Sequence, residues 1–181
     1  MGDRIYIKAG PAGGKQGQAW DDGIFHSVTA IFLTYTTSRI VSIQFAYADE
    51  RGNRRLSLRR GGAGGNSFEA IQITGPITSV SGSYSMISGR PAHVQSLVFD
   101  AGGVRHGPYG YASGSVTAFG RGTTQFSFSA SGNRIRGFHG YSDGFYLQSI
   151  GVYIDSGTTS RMQASPSSYP KLLEAPKEES E

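Results

Sequence analysis

The feature that most constrains the fold of this chain is a short pattern, apolar-x-Ser-apolar-x-apolar, which occurs three times. Its serines are Ser42, Ser96 and Ser149, at spacings of 54 and 53 residues. Self-similarity at a fixed period of this length is typical of architectures built from repeated units. Three units of about fifty residues would account for the chain up to roughly residue 155. The sequence therefore predicts an architecture with threefold pseudo-symmetry.

The segments that carry the pattern have the character of β-strands. They are short, rich in β-branched and aromatic residues, and bounded by Gly-rich turns, and no window shows a sustained helical period of about 3.6 residues. Glycine supplies 27 of the 181 residues, about twice its usual share. Gly-rich loops precede strand-like segments at residues 10–17, 61–65 and 107–111. These observations predict an all-β fold.

Composition also bears on the compartment and the extent of the domain. The chain has no cysteine, which excludes disulfides and thiolate metal sites. The N-terminus lacks an apolar h-region, and no stretch approaches the ~18 apolar residues of a membrane span. We therefore expect a soluble protein of the cytoplasm or the nucleus. Residues 1–155 are predicted to form one domain, and residues 156–181, where Ser, Pro, Lys and Glu dominate, a disordered polar tail.

The formal net charge is +4, and the one dense basic run contains five arginines: Arg51, Arg54, Arg55, Arg59 and Arg60. One interpretation is a phosphate-binding patch for nucleic acid or lipid headgroups. The other is a solvated hairpin edge whose charge prevents edge-to-edge pairing of strands. We favour the second interpretation, and we expect neither a nucleic-acid partner nor a membrane span.

Motifs for catalysis and metal binding are weak. Residues 140–144 fit the G-x-S-x-G string of a nucleophile elbow, but that motif requires a strand-turn-helix, and the residues that follow have a strand pattern. The four histidines lack zinc-ligand spacing. Asp21 and Asp22 lie in a turn sequence, where we expect them to cap backbone N–H groups. The sequence therefore predicts a protein that is not an enzyme and has no catalytic residue, metal or cofactor.

Three motifs occur in a fixed order along the chain. They are G-P-x-G-G-x-x-G-x-x-W-D-D-G at residues 10–23, G-P-Y-G at 107–110, and G-F-H-G, G-F-Y-L and I-G-V-Y within 137–153. Together with the threefold repeat, these motifs resemble the jacalin-related lectins, over roughly residues 4–154. The resemblance is closest to the mannose-specific, cytoplasmic type known from plants.

The resemblance implies a β-prism of three four-stranded Greek-key sheets around a pseudo-threefold axis, with the N-terminal segment completing the last sheet. It also implies a sugar site between the N-terminal Gly-rich loop and the loop before the last strand. In that family backbone N–H groups donate to sugar hydroxyls, and an Asp carboxylate accepts from two of them. The loop positions that match are Gly17, Gly144, Phe145 and Tyr146.

The sequence departs from the family pattern at the acceptor. The family's Asp falls on Gln148, and the loop between Gly140 and Gly144 has three residues where the family usually has two. Gln148 still offers an amide oxygen, and Asp143, in the longer loop, is a candidate replacement carboxylate. The equivalent positions in the other units are Val41 and Gln95, so we expect one sugar site at most.

The leading functional hypothesis is a non-enzymatic lectin that recognises mannose- or glucose-type residues on glycans or glycoproteins. Its candidate carbohydrate-binding residues are Gly17, Asp143, Gly144, Phe145, Tyr146 and Gln148. The alternative is a lectin fold that has lost sugar binding and acts as a protein-interaction or assembly module. A homo-oligomer is expected, because weak sites gain avidity when several copies are linked.

Overall fold

All regular structure in the computed structural model, which describes residues 3–111 and 121–158, is β-strand. The strands are numbered β1 to β13 in chain order, and every pairing between them is antiparallel. They form three groups, each built on a central hairpin of two long strands.

The first group has the spatial order β1 (Arg4–Gly13), β13 (Leu147–Thr158), β12 (Arg134–Ser142) and β2 (Gln18–Asp21). In the second, β5 (Arg54–Leu56) and β6 (Arg60–Gly61) share one edge of β4 (Ile40–Ala48), followed by β3 (Ser27–Tyr35) and β7 (Ser67–Gln72). The third has the order β10 (Val104–Gly110), β9 (Arg90–Ala101), β8 (Ile77–Ile87) and β11 (Arg121–Ser129).

These groups are three four-stranded sheets. The first and third are joined through a single residue pair, Ile135 with Ile77, and β5 and β6 are two pieces of one edge strand. In the second and third sheets the last strand lies beside the first, which is the Greek-key order. The N-terminal strands β1 and β2 complete the first sheet around the β12–β13 hairpin. The prediction of an all-β fold, a β-prism of three four-stranded sheets, is confirmed.

The three serines of the repeat occupy equivalent places in these sheets. Ser42, Ser96 and Ser149 lie on β4, β9 and β13, the second strand of each central hairpin, and all three are buried. Each makes a hydrogen bond to its partner strand: Ser42 Oγ with Thr34 Oγ1 at 2.6 Å, Ser96 Oγ with Ser83 Oγ at 2.7 Å, and Ser149 Oγ from the N–H of Tyr141 at 3.0 Å. Each repeat serine therefore bonds to the residue opposite it on the partner strand, to a side-chain hydroxyl in two sheets and to a backbone N–H in the third.

Each repeat serine faces a glycine on the neighbouring edge strand. The glycines are Gly13, Gly61 and Gly110, which pair with Ser149, Ser42 and Ser96. All three have positive φ, between +89° and +120°, a region that L side chains rarely adopt. A Cβ atom on any of them would overlap the carbonyl oxygen of the residue before the serine. The Gly-rich loops thus lie directly on the central strands.

The apolar residue after each repeat serine points into the core. Ile43, Leu97 and Ile150 are fully buried, and the core between the sheets also contains Phe45 and Phe138, whose rings stack with centroids 4.0 Å apart. Burial of such side chains is the main favourable contribution to folding. The core therefore draws on all three repeats.

The described chain ends within β13, which continues to Thr158. Residues 159–181, which contain most of the predicted polar tail, lie outside the described residues, so that tail remains a prediction. No helix in the described part of the chain is long and apolar enough to span a membrane.

Candidate functional site

The loop between β1 and β2 packs against the turn between β12 and β13. Gly17 has φ +80°, and a Cβ atom there would overlap the backbone of Ser142 and Asp143. The N–H of Gly14 donates to the carbonyl of Gln148 at 2.9 Å and to that of Ala92 at 2.9 Å. Glycine is therefore required where these two loops meet, because only a residue without a side chain allows this approach.

Asp143 organises the turn between β12 and β13. Its Oδ1 accepts from the N–H of Phe145 at 2.8 Å and from the N–H of Tyr146 at 2.7 Å. Its own N–H donates to the carbonyl of Tyr146 at 3.2 Å. Asp side chains commonly hydrogen-bond backbone N–H groups a few residues ahead in this way. At two of the four loop positions that the resemblance implies for the sugar site, Phe145 and Tyr146, the N–H group thus donates to Asp143 in this structure.

Gln148 lies behind Asp143 at the start of β13. Its Nε2 donates to Oδ2 of Asp143 at 2.7 Å, and the residue is only 3% exposed. Its Oε1 is buried and has no hydrogen-bond partner in the described part of the chain. Buried polar atoms are nearly always paired, so an unpaired acceptor calls for an explanation such as a ligand or a water.

The polar groups of this turn have capacity left for a ligand. An ionised carboxylate offers about four acceptor positions, and Asp143 uses three, two on Oδ1 and one on Oδ2. The backbone N–H groups of Gly17 and Gly144 donate to no atom within residues 3–111 and 121–158. The turn can therefore both accept from and donate to the hydroxyls of a small polar ligand.

Two cavities flank Gly144. The first, of about 410 Å³, is lined by three short segments: residues 17–20, 59–61 and 142–144. The second, of about 440 Å³, is lined by Phe145 and Tyr146, by residues 62–65, and by the segment around Arg39. Both volumes fall within the range of small-molecule sites, about 300–1,000 Å³. The turn that carries Asp143 thus separates two concave surfaces.

The aromatic residues of the turn differ in their surroundings. Phe145 is 71% exposed. The guanidinium of Arg39 lies 4.6 Å from the ring centroid of Tyr146, and the His93 ring lies 5.6 Å from it. Phe145 therefore offers a free apolar face, whereas the Tyr146 ring is already covered by a cation.

Five of the six predicted site residues line the two cavities: Gly17, Asp143, Gly144, Phe145 and Tyr146. Gln148 is brought to the same place but contacts the site through Asp143. The sequence did not single out Arg39, Trp20 or Arg60 as site residues. Arg60 belongs to the arginine run, and Trp20 to a conspicuous motif, but nothing local indicated that both face this turn.

The positions equivalent to Gln148 in the other two sheets offer no free side-chain acceptor for a sugar hydroxyl. Oε1 of Gln95 accepts from Oγ1 of Thr123 at 3.0 Å, so this amide oxygen is already paired. Val41 has no polar side-chain atom. The expectation of at most one sugar site rests on these two differences.

The residues considered for other chemistry have structural partners. Ser142 precedes a turn into a strand, β13, and not into a helix. Asp21 Oδ1 accepts from the N–H of Gly23 at 2.9 Å, as predicted. Burial alone would raise the pKa of Asp21, but hydrogen bonds from Tyr153, Lys8 and Gly23 outweigh burial and lower it. No group of three metal-ligating side chains was found within the described ranges.

Asp22 differs from the expectation of a backbone cap. Its side chain is buried, and it accepts from the hydroxyl of Tyr47 at 2.8 Å and from Nη2 of Arg60 at 2.8 Å. Burial of a carboxylate requires such pairing, because an isolated buried charge is very costly. Asp22 therefore fixes one arginine of the basic run beside the first cavity.

Comparison with known proteins agrees with this geometry. The family model that describes the jacalin-like lectin domain matches residues 9–153 of this chain. Jacalin-related lectin 19 of Arabidopsis thaliana is 37% identical over 168 residues, 90% of this chain and 88% of that protein. Jacalin-related lectin 3 of the same plant is 38% identical over 148 residues, 80% of this chain, and the chain spans only 23% of that protein's length.

Comparison of this structure with solved structures indicates the same family. A mannose-binding jacalin-related lectin from Ananas comosus has a TM-score of 0.68 and 25% identity, over 83% of this chain and 98% of that one. Because the family model covers most of the chain and a relative of similar length is more than one-third identical, the chain belongs to the jacalin-related lectins.

Proposed function

We propose that this protein is a lectin that binds mannose- or glucose-type residues of glycans, without catalysis, at the turn between β12 and β13. The observation that carries the proposal is the convergence of Gly17, Asp143 and Gly144 on one cavity wall. The solved relative from Ananas comosus is described as mannose-binding, which supports the choice of sugar.

The sugar would use the acceptors and donors that the turn leaves unpaired. One hydroxyl donates to the remaining position on Oδ2 of Asp143, which Gln148 holds in place from behind. The N–H groups of Gly17 and Gly144 donate to sugar oxygens. Phe145 contributes an exposed ring against which an apolar sugar face can pack.

This arrangement favours weak binding by a single site. Only one acceptor position of a carboxylate is open, and hydrogen bonds to a charged group contribute about 1.5–3 kcal/mol against about 1 kcal/mol for neutral ones. A millimolar Kd corresponds to about −4 kcal/mol. Linked copies would raise the apparent affinity.

A homo-oligomer is the proposed source of such linkage. β1 is an edge strand, and it carries two exposed isoleucines, Ile5 at 46% and Ile7 at 50%. Exposed apolar edge strands readily pair with another chain. We also propose the cytoplasm or nucleus as its compartment, which microscopy of a fluorescent fusion tests.

A second candidate function has a specific observation in its favour. The N–H groups of Phe145 and Tyr146 already donate to Asp143, so these two donors are satisfied without any ligand. A fold of this kind that has lost sugar binding would serve as a protein-interaction or assembly module.

A glycan array with and without free mannose as competitor separates the two candidates. The lectin proposal expects signals on mannose- or glucose-terminated glycans that free mannose removes. The interaction-module alternative expects no signal that mannose can remove.

A further inference from the structure

The cavity lined by residues 17–20, 59–61 and 142–144 contains hydrogen-bond donors that the neutral-sugar proposal does not use. Trp20 is only 6% exposed, and its Nε1 is buried without a hydrogen-bond partner in the described residues. Nε of Arg60 is buried and equally unpartnered there. Two orphaned donors in one cavity wall indicate a missing acceptor.

The two donors belong to a rigid pair. Nη2 of Arg60 donates to Oδ1 of the buried Asp22 at 2.8 Å, and the Arg60 guanidinium carbon lies 5.4 Å from the centroid of the Trp20 ring. Asp22 is held in turn by the Tyr47 hydroxyl. Arg60 is therefore oriented before any ligand arrives, and preorganised donors cost less to engage.

Of the two cations that line the cavity, one has no salt-bridge partner among the described residues. Asp22 pairs with Arg60, and the Asp143 carboxylate keeps its negative charge while it accepts three hydrogen bonds from neutral donors. Arg59 lines the cavity, is exposed, and forms no salt bridge in the part of the chain that the structure describes. An arginine presents several N–H donors in a fork that matches the oxygens of carboxylate, sulfate or phosphate groups.

We propose that this cavity binds an anionic substituent of the glycan, such as a uronic acid carboxylate or a sulfate ester, on or next to the sugar at Asp143. Arg59 supplies the charge, and the guanidinium of Arg60, held by Asp22, donates to the oxygens of the anion. The inference rests on the proposed lectin function for its sugar. The ligands of the protein would then be acidic glycans.

The glycan test compares two matched pairs of mannose-containing oligosaccharides, a neutral one with its sulfated counterpart and a neutral one with its counterpart that carries a uronic acid. Titration calorimetry in about 50 mM NaCl is expected to give roughly tenfold tighter binding of an acidic member, the size of one charge-assisted hydrogen bond. The pair in which the acidic member binds more tightly shows whether the cavity prefers a sulfate or a carboxylate. Arg59→Gln should remove the gain of the acidic member over its neutral counterpart.

Arg54→Gln is the matched control, since Arg54 is exposed on β5 and does not line the cavity. It should preserve the acidic preference. An equal loss in Arg54→Gln and Arg59→Gln would overturn the proposal, because it would indicate only general charge attraction. So would equal binding of neutral and acidic glycans, which would leave the lectin function itself intact.

A second readout does not depend on sugar binding. The chain contains a single tryptophan, Trp20, so its fluorescence reports directly on this cavity. Sodium sulfate or sodium glucuronate should change the emission saturably at a constant ionic strength set with NaCl. Arg59→Gln should weaken the response at least threefold. A response that is linear, or identical in Arg59→Gln, would overturn the anion site even if the protein bound no glycan.

Discussion

Nε2 of Gln148 donates a hydrogen bond of 2.7 Å to Oδ2 of Asp143. The residue that stands where the family has its acidic acceptor thus contacts the carboxylate that the longer loop supplies. The two side chains form one polar unit, in which Gln148 positions Asp143 and Asp143 orders the N–H groups of Phe145 and Tyr146. The effects of substitutions at Gln148 and Asp143 on the free energy of unfolding should therefore not be additive.

Restoring an acid at position 148 alone should fail. Gln148→Asp removes the donor and brings a second carboxylate toward Asp143, and like charges at this distance oppose ionisation. We expect the free energy of unfolding to fall by about 1–3 kcal/mol, since a buried group loses its partner. Chemical denaturation monitored by Trp20 fluorescence measures this loss.

The compensating change is Asp143→Asn together with Gln148→Asp. It reverses the donor and acceptor between the two positions, so stability should recover to within about 1 kcal/mol of the native protein in the same denaturation experiment. Stability losses that simply add in the double variant would contradict the direct coupling of these residues.

The glycines beside the repeat serines should be intolerant of any side chain. Gly61→Ala places a Cβ atom against the carbonyl of Val41 and keeps a strained φ of +113°. We expect a loss above about 4 kcal/mol, which is exceptional for a single substitution. Gly52→Ala is the control, because Gly52 has φ +83° but open space around it, and should cost only about 1–2 kcal/mol. Equal losses in thermal unfolding would show that the contact with Val41 is unimportant.

His139 should make the fold less stable in mild acid. Burial lowers the pKa of His139 and outweighs the hydrogen bond to the carbonyl of Ala9, which raises it. The unfolded chain therefore takes up a proton first as the pH falls through about 6.5, and the free energy of unfolding should decrease from pH 7.5 to 5.5. His139→Gln should show a smaller decrease in urea denaturation. The same decrease in both proteins would assign the effect to other groups.

The oligomer should depend on β1. Ile7→Lys places a charge on the exposed edge strand, a device that opposes strand pairing between chains. Light scattering coupled to size exclusion is expected to show a smaller species for this variant. Ile24→Lys, at an exposed isoleucine between β2 and β3, should leave the mass unchanged. A native protein that is monomeric at the highest soluble concentration would refute the proposal.

Much of the fold could be predicted from the sequence because its signals are local. The pattern around Ser42, Ser96 and Ser149 recurs with each hairpin, and the Gly-rich loops mark where edge strands cross it. The pairing of Asp22 with Arg60 could not be predicted, since 38 residues separate them and only the packing of two sheets brings them together.

The proximity of the candidate site residues could be predicted from the sequence, but their hydrogen bonds could not. Gly17, Gly144 and Gln148 follow from motif spacing. That Asp143 turns back onto the N–H groups of Phe145 and Tyr146 depends on the conformation of a loop one residue longer than usual. A sequence motif does not specify the conformation of a loop of unusual length. In a short polar loop the Asp143 carboxylate also has several alternative hydrogen-bond partners.

Sugar binding at the turn between β12 and β13 is tested most directly by titration of the ¹⁵N-labelled protein with methyl α-mannoside, followed by backbone amide chemical shifts. We predict saturable shifts at Gly17, Gly144 and the residues of the turn that carries Asp143, with a Kd in the millimolar range, and their loss in Asp143→Ala. Absence of saturable shifts, or shifts confined to residues 61–65, would contradict this prediction.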